Sequence, residues 1–259
     1  MLEQIAAKVK ERVISRSRAQ WRAEIESRLL DAPPVRNFKA ALSRLDPDFI
    51  FEIKRRSPSN GDRPLEIDVT QLGQLYQHEG ASCISVLTEP DYFAGSLSDL
   101  HAVRQAVQIP VLRKDFIIDE LQIAEARAHG ADAVLLIVSL LTTEQLAEYI
   151  HYCREIEVAA LVEIHHEAEL EQALAANDDI IGVNNRNLAT LEIDLGVGEH
   201  LLSLIPSDRL RVAESGISSR EDVLRLRRAG ADAFLIGSAI MRAEDRHLKI
   251  RELLGYDED

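Results

Sequence analysis

Eight short apolar runs, near residues 49–54, 83–88, 110–114, 132–138, 159–164, 180–184, 210–214 and 233–237, punctuate this chain, and segments with helical spacing lie between them. Strands buried on both faces read as continuous apolar runs, and parallel neighbours need a helical crossover between them. Intervening stretches such as residues 123–128 and 222–227 alternate apolar and charged positions with that helical period. The alternation predicts a parallel sheet in an α/β fold. Three junctions nearly repeat: Glu79-Gly80-Ala81-Ser82, His129-Gly130-Ala131-Asp132 and Ala229-Gly230-Ala231-Asp232. Each glycine is expected to turn left-handed and close a helix just before the next strand. Thr142-Thr143-Glu144 and Ser218-Ser219-Arg220-Glu221 supply capping hydroxyls and early acids at two helix starts.

Such a sheet is either open and doubly wound or closed into a (β/α)₈ barrel. Six of the apolar runs decide between them, because each carries charged or amide groups at its C-terminal end. They are Phe51-Glu52-Ile53-Lys54, Val111-Leu112-Arg113-Lys114-Asp115, Leu161-Val162-Glu163, Ile181-Gly182-Val183-Asn184-Asn185-Arg186, Val212-Ala213-Glu214-Ser215 and Leu235-Ile236-Gly237-Ser238. Buried charge is costly unless paired or used. An open sheet would gather such residues near one switch point, whereas a barrel spreads them over all its strand ends. The first strand is followed by no Gly-x-Gly-x-x-Gly, and there is no P-loop. The expectation is a single (β/α)₈ TIM barrel domain over residues 1–259. Residues 1–45 form an N-terminal helical extension, with Ile5, Val9 and Val13 at four-residue spacing, a break at Asp31-Ala32-Pro33-Pro34 and a second short helix from Phe38.

Composition narrows the partners. The formal charge of −14 disfavours nucleic acid and anionic membranes, which need basic patches. No apolar stretch reaches the roughly 18 residues of a membrane span. Met1-Leu2-Glu3-Gln4 lacks the opening of a signal peptide, and Cys83 and Cys153 stand in no metal-ligand spacing. A reduced cytoplasmic setting and a small anionic metabolite in a pocket are therefore expected.

The strand ends carry the chemistry. Glu52 and Lys54 are two residues apart, so they share a face, which in a barrel is the interior. The loop from Arg55 to Pro64 is basic and rich in turn formers, as both lids and plain solvated loops are. Lys114 can donate a proton or stabilise a developing oxyanion, or it can simply pair with Asp115. Glu163 follows an apolar run and suits general-base work or stabilisation of a cation. His165 falls on the face of Glu163 and His166 on the opposite one; both read as loop or helix-start residues, and one carboxylate with two adjacent histidines makes no metal site. Asn184 and Arg186 offer an amide and a planar cationic fork for hydroxyl or carboxylate groups. Glu214-Ser215-Gly216 and Gly237-Ser238 end the last two runs, where such barrels commonly bind phosphate on exposed N–H groups.

Taken in order, Phe51-Glu52-Ile53-Lys54-Arg55-Arg56-Ser57-Pro58-Ser59, Leu112-Arg113-Lys114-Asp115-Phe116, Leu161-Val162-Glu163-Ile164-His165, Ile181-Gly182-Val183-Asn184-Asn185-Arg186-Asn187-Leu188 and Val212-Ala213-Glu214-Ser215-Gly216-Ile217 closely resemble the motifs of the indole-3-glycerol-phosphate synthase family. The likeness runs from about Phe38 to Ala239 and includes the helical extension. It implies a carboxy-lyase of tryptophan biosynthesis acting on 1-(2-carboxyphenylamino)-1-deoxyribulose 5-phosphate. By that resemblance Lys114 is the acid of ring closure. Lys54 holds the substrate carboxylate and can donate a proton in dehydration. Glu163 stabilises the cationic intermediate or acts as base, and Glu52 orients the two lysines. Asn184 and Arg186 position sugar hydroxyls and neighbouring carboxylates. Ser57, Glu214 and Ser215 bind substrate at the mouth, Phe93 and Phe116 sandwich the anthranilate ring, and Gly216, Gly237 and Ser238 bind phosphate. The implied chemistry requires no metal, flavin or nicotinamide.

Two rival readings share the barrel. A phosphoribosylanthranilate isomerase-like enzyme would keep the phosphate site but has no need of two strand-end lysines. A non-catalytic phosphosugar-binding barrel has no use for Lys54, Lys114 and Glu163 together.

Overall fold

The computed structural model describes residues 1–43, 47–57 and 64–256. Eight strands, β1 (Asp48–Ile53), β2 (Cys83–Leu87), β3 (Val111–Lys114), β4 (Ala133–Ile137), β5 (Ala159–Ile164), β6 (Ile180–Asn184), β7 (Leu210–Glu214) and β8 (Ala233–Ile236), form a closed barrel in sequence order. All pairings are parallel, and β1 closes the ring against β8 with Phe51 opposite Ile236. This is a TIM barrel, with strands lying within a residue or two of the apolar runs that predict them. The two faces of each strand feed different layers. Phe51 and Ile53 of β1 pack outward with Val86, Val134 and Phe234 against the helices. Ile50, Leu112, Leu161, Val212 and Leu235 fill the interior. Position parity therefore sends Glu52, Lys114, Glu163, Asn184 and Glu214 inward at the C-terminal rim.

The helix ends follow the sequence signals. Gly80, Gly130 and Gly230 take φ of +99°, +89° and +110°, which a side chain would strain. Thr142 and Ser219 close capping boxes with Gln145 and Asp222.

In the extension, α1 (Leu2–Ser15), α2 (Arg18–Leu29) and α3 (Phe38–Ala41) run from one rim of the barrel to the other. Ile5 and Val9 of α1 join the interior cluster at the top. Phe38 and Leu42 join it from below, where Lys39 pairs with Asp179 just ahead of β6. Between them Trp21 and Ile25 of α2 pack on Leu121, Ala124 and Ala128 of the helix Glu120–Ala128. The helical stretch expected to run on to Asp31 is broken earlier, at Arg16, whose φ of −80° and ψ of 135° are extended. A tertiary contact explains the break. Arg16 donates to Glu125 at 2.7 Å and lies over the Trp21 ring at 4.0 Å, which needs the chain to double back.

Candidate active site

A cavity of about 310 Å³ opens at the C-terminal ends of the strands. Its wall includes Glu52, Lys54 and Ser57 from the β1 end, Lys114 and Phe116 from β3, and Glu163 from β5. Asn184 and Arg186 follow β6, Ser215 and Gly216 follow β7, Gly237 and Ser238 follow β8, and Phe93 comes from the short helix Pro90–Phe93. Residues 58–63 of the loop after β1, whose composition suits either a lid or a plain solvated loop, lie outside the described residues.

Two lysines and three carboxylates meet in this wall or directly beneath it. Lys54 Nζ lies 2.6 Å from Glu52 Oε1 and donates to Ser238 Oγ at 2.9 Å. Lys114 Nζ lies 2.5 Å from Glu214 Oε2 and 3.5 Å from Glu163 Oε2. The alternative partner, Asp115, is on the opposite face of β3, where it accepts from Arg113 at 3.0 Å and from Thr88 at 2.5 Å. Burial works against the charge on Lys114, but Glu214, Glu163 and Glu52 outweigh it and hold the ammonium well above its ordinary range. Glu52 is likewise burdened by burial yet kept below the usual carboxylate range by Lys54 and Lys114. Burial also works against ionising Glu163, but Lys114 and His165, aided by Asn184, bring it down to about 2. Glu214 goes the other way: burial, reinforced by Glu163, outweighs Lys114 and pushes it up to about 7. Two carboxylates around one ammonium thus split into an ionised member and one that holds a proton near neutrality.

Four sequence expectations change in detail. Glu214 does not line the mouth; it is fully buried beneath Lys114. Its room comes from Gly182 on the neighbouring strand, where a Cβ would stand 2.3 Å from Glu214 Oε1. Gly237, expected to let a ligand approach the backbone, makes room for Glu52, whose Oε1 would be 2.3 Å from a Cβ there. Phe93 and Phe116 cannot enclose a ring as they stand, because their centroids are 6.1 Å apart and tilted by 32°. A stacked ring needs about 3.5 Å on each side, so these two form one aromatic wall. His165, read as a loop residue, stands behind Glu163 with Nε2 3.2 Å from its Oε1 and Nδ1 3.4 Å from Glu169 Oε2. Its parity with Glu163 was the available signal.

Other wall residues had no signal in the sequence. Arg242, in the short helix Ser238–Arg242, adds a cation beside Gly237 and Ser238, and Met1, Leu2 and Ile5 of α1 supply an apolar side. Ser215 is held at φ +63° by Asn185, whose amide donates to the carbonyls of Glu214 and Ser215, both at 2.9 Å. Among the described residues no cluster of three or more His, Cys, Asp or Glu could hold a metal ion, and no helix is long and apolar enough to cross a membrane.

The closed barrel, with ammonium and carboxylate groups from the ends of alternate strands β1, β3 and β5 facing one cavity, defines a TIM-barrel enzyme. A solved structure of thiamine phosphate pyrophosphorylase from Pyrococcus furiosus is similar in fold, with a TM-score of 0.61 at 16% identity over 82% of this chain and 95% of that one. Residues 2–253 match the family model described as indole-3-glycerol phosphate synthase. Curated proteins of that name are similar throughout: 46% identical in Paenarthrobacter aurescens (97% of this chain, 94% of the relative), 44% in a Nocardioides species (99% of each) and 42% in a Polaromonas species (98% and 95%). The chain belongs to the indole-3-glycerol phosphate synthase family.

Proposed function

We propose that the protein closes the indole ring of 1-(2-carboxyphenylamino)-1-deoxyribulose 5-phosphate, releasing carbon dioxide and water to give indole-3-glycerol phosphate in tryptophan biosynthesis. The observation that carries this reading is Lys114, an inward-facing ammonium between Glu163 and Glu214 at the strand ends. In the first step the ring carbon bearing the carboxylate attacks the ribulose carbonyl carbon. The carbonyl oxygen becomes an alkoxide and needs a proton. Lys114 stays protonated at neutral pH under its carboxylate neighbours, and the alkoxide is more basic still, so transfer is downhill. Loss of carbon dioxide restores the aromatic ring. The hydroxyl then leaves as water, with a proton from Lys54, while a proton is lost from the adjacent carbon.

Glu163 faces the cationic intermediate as a carboxylate, stabilises it and takes that proton. Glu52 orients Lys54 through their 2.6 Å contact. Lys54 and Arg186 hold the substrate carboxylate, and Asn184 aligns the sugar hydroxyls. Ser57 closes on the substrate beside Lys54, and the Phe93–Phe116 wall supports the anthranilate ring. The phosphate sits against Ser215, Gly216, Gly237 and Ser238, with Arg242 as counter-charge. Glu214 serves from below, as the partner that fixes Lys114. The chain works as one barrel domain, residues 1–45 being an extension packed on it, in the cytoplasm and on a small phosphorylated molecule rather than on nucleic acid or a membrane.

Incubating the protein with the synthetic ribulose phosphate while following indole fluorescence and carbon dioxide release tests the reading. Equal appearance of both is expected. Conversion of phosphoribosylanthranilate, with no indole formed from the ribulose phosphate, would replace it with the isomerase reading.

A further inference from the structure

His165 is not part of the cavity wall, yet it is nearly enclosed, with a side chain only 10% exposed, between two carboxylates. Nε2 meets Glu163 Oε1 at 3.2 Å and Nδ1 meets Glu169 Oε2 at 3.4 Å. The Nε2 contact is an ion pair rather than an aligned hydrogen bond, since Nε2 has no hydrogen-bond partner in the geometric sense. Glu169 is itself anchored: Oε2 accepts from the His165 backbone N–H at 2.6 Å, and Oε1 lies 3.1 Å from His166 Nε2. A neutral imidazole has one donor and one acceptor, so facing a carboxylate with each nitrogen would set its bare nitrogen against negative charge. Only the doubly protonated ring suits both neighbours. These contacts hold His165 as a cation, up to about 10 against the burial that opposes it.

The other groups facing Glu163 do not make that cation redundant. Lys114 from β3 is shared with Glu214 from β7, Glu52 from β1 adds a further negative charge, and Asn184 from β6 is neutral. Lys114 lies nearer Glu214, at 2.5 Å against 3.5 Å, so on its own it favours an ionised Glu214 and would leave the proton to Glu163. Both carboxylates leave one oxygen without a hydrogen-bond partner, Glu163 Oε2 and Glu214 Oε1. His165 touches one member and not the other. We propose that His165 is a positioning residue that keeps Glu163 the ionised member of the pair, sending the shared proton to Glu214. This rests on Glu163 acting as a carboxylate in the reaction.

The test uses the whole chain and the ribulose-phosphate substrate. In wild type Glu163 stays ionised whether or not Glu214 holds its proton, so kcat should be flat between about pH 6 and about pH 8. In His165→Asn the proton is free to sit on Glu163. The kcat profile should then gain an acid limb near neutrality, falling about tenfold by about pH 6 and recovering towards wild type by about pH 9, with KM little changed. A merely structural role would lower kcat or stability evenly across pH. Superimposable wild-type and variant profiles would overturn the proposal.

Glu163→Gln separates this failure from that of the parent reading. Wild-type turnover in Glu163→Gln removes the catalytic carboxylate itself, whereas a slow Glu163→Gln with an unmoved His165→Asn profile removes only the role of His165. Nitrogen-15 spectra of the His165 ring in the wild-type protein decide the matter even if the variant does not fold. Both ring nitrogens should carry protons at about pH 8.5, and a neutral ring there would contradict the proposal.

Discussion

The two rims of this barrel carry acids at opposite ends of its strands and treat them oppositely. At the N-terminal rim, Asp132 accepts from the Arg36 and Val111 backbone N–H groups at 2.7 and 2.8 Å. Asp232 takes the Arg211 N–H and Nε, both at 3.0 Å, Asp178 the Ile180 N–H at 3.1 Å, and Asp48 the Ser82 hydroxyl at 2.7 Å. Asp132, Asp232 and Asp48 tie their strand starts to a neighbouring strand, and Asp178 braces the start of its own. At the C-terminal rim, Glu163 and Glu214 each keep an oxygen with no hydrogen-bond partner while sharing one ammonium. Satisfied acids below stabilise the barrel; incompletely satisfied acids above are held in readiness for a substrate.

Substitutions can break this contrast in order of effect. Lys114→Ala removes the proposed acid and should lower kcat about 10³-fold or more while leaving binding of a phosphorylated ligand nearly intact, measured by turnover and calorimetry. Near wild-type turnover would refute the assignment. Glu163→Gln keeps the shape of the side chain and should cost about 10²-fold in kcat with little change in Tm. Gly237→Val drives a side chain into Glu52 and so disturbs Lys54. It should lower kcat by about tenfold or more, and a change confined to KM would place its role at the phosphate alone.

The lower rim should answer differently. Asp132→Ala leaves two backbone N–H groups unpaired and should cost about 2–4 kcal/mol of stability, read from urea unfolding, with kcat per folded molecule unchanged. The smallest effect concerns pH. Glu214 is raised from its unfolded value near 4.5 to about 7. Its contribution to stability is therefore complete below about pH 4.5 and is lost as pH rises through 7. Tm of the unliganded protein should fall between about pH 5 and about pH 8, and less so in Glu214→Gln; equal slopes would deny Glu214 its proton.

Most of the barrel was legible in the chain because the signals are local. A strand covered on both faces must be apolar throughout, and a helix that stops before a strand needs Gly80, Gly130 or Gly230 in a left-handed turn. Parity along one strand was enough to put Glu52 beside Lys54, and to align Glu163 with His165. What escaped depends on neighbours far away in sequence. The depth of Glu214 is set by Gly182 on the next strand, and the need for Gly237 by Glu52 across the β1–β8 seam. Arg16 leaves the helix because Glu125 and Trp21 receive it. The aspartates of the lower rim sit at strand starts in plain view, Asp132 and Asp232 within the repeated junctions, but the partners of Asp132 and Asp178 are backbone N–H groups that no side-chain pattern reports.

Turnover and Tm of Glu163→Gln, measured side by side with those of Asp132→Ala, probe the division of labour between the rims most directly. Glu163→Gln should lose activity and keep its melting temperature, and Asp132→Ala should do the reverse. Loss of both properties in both variants, or full activity in Glu163→Gln, would contradict it.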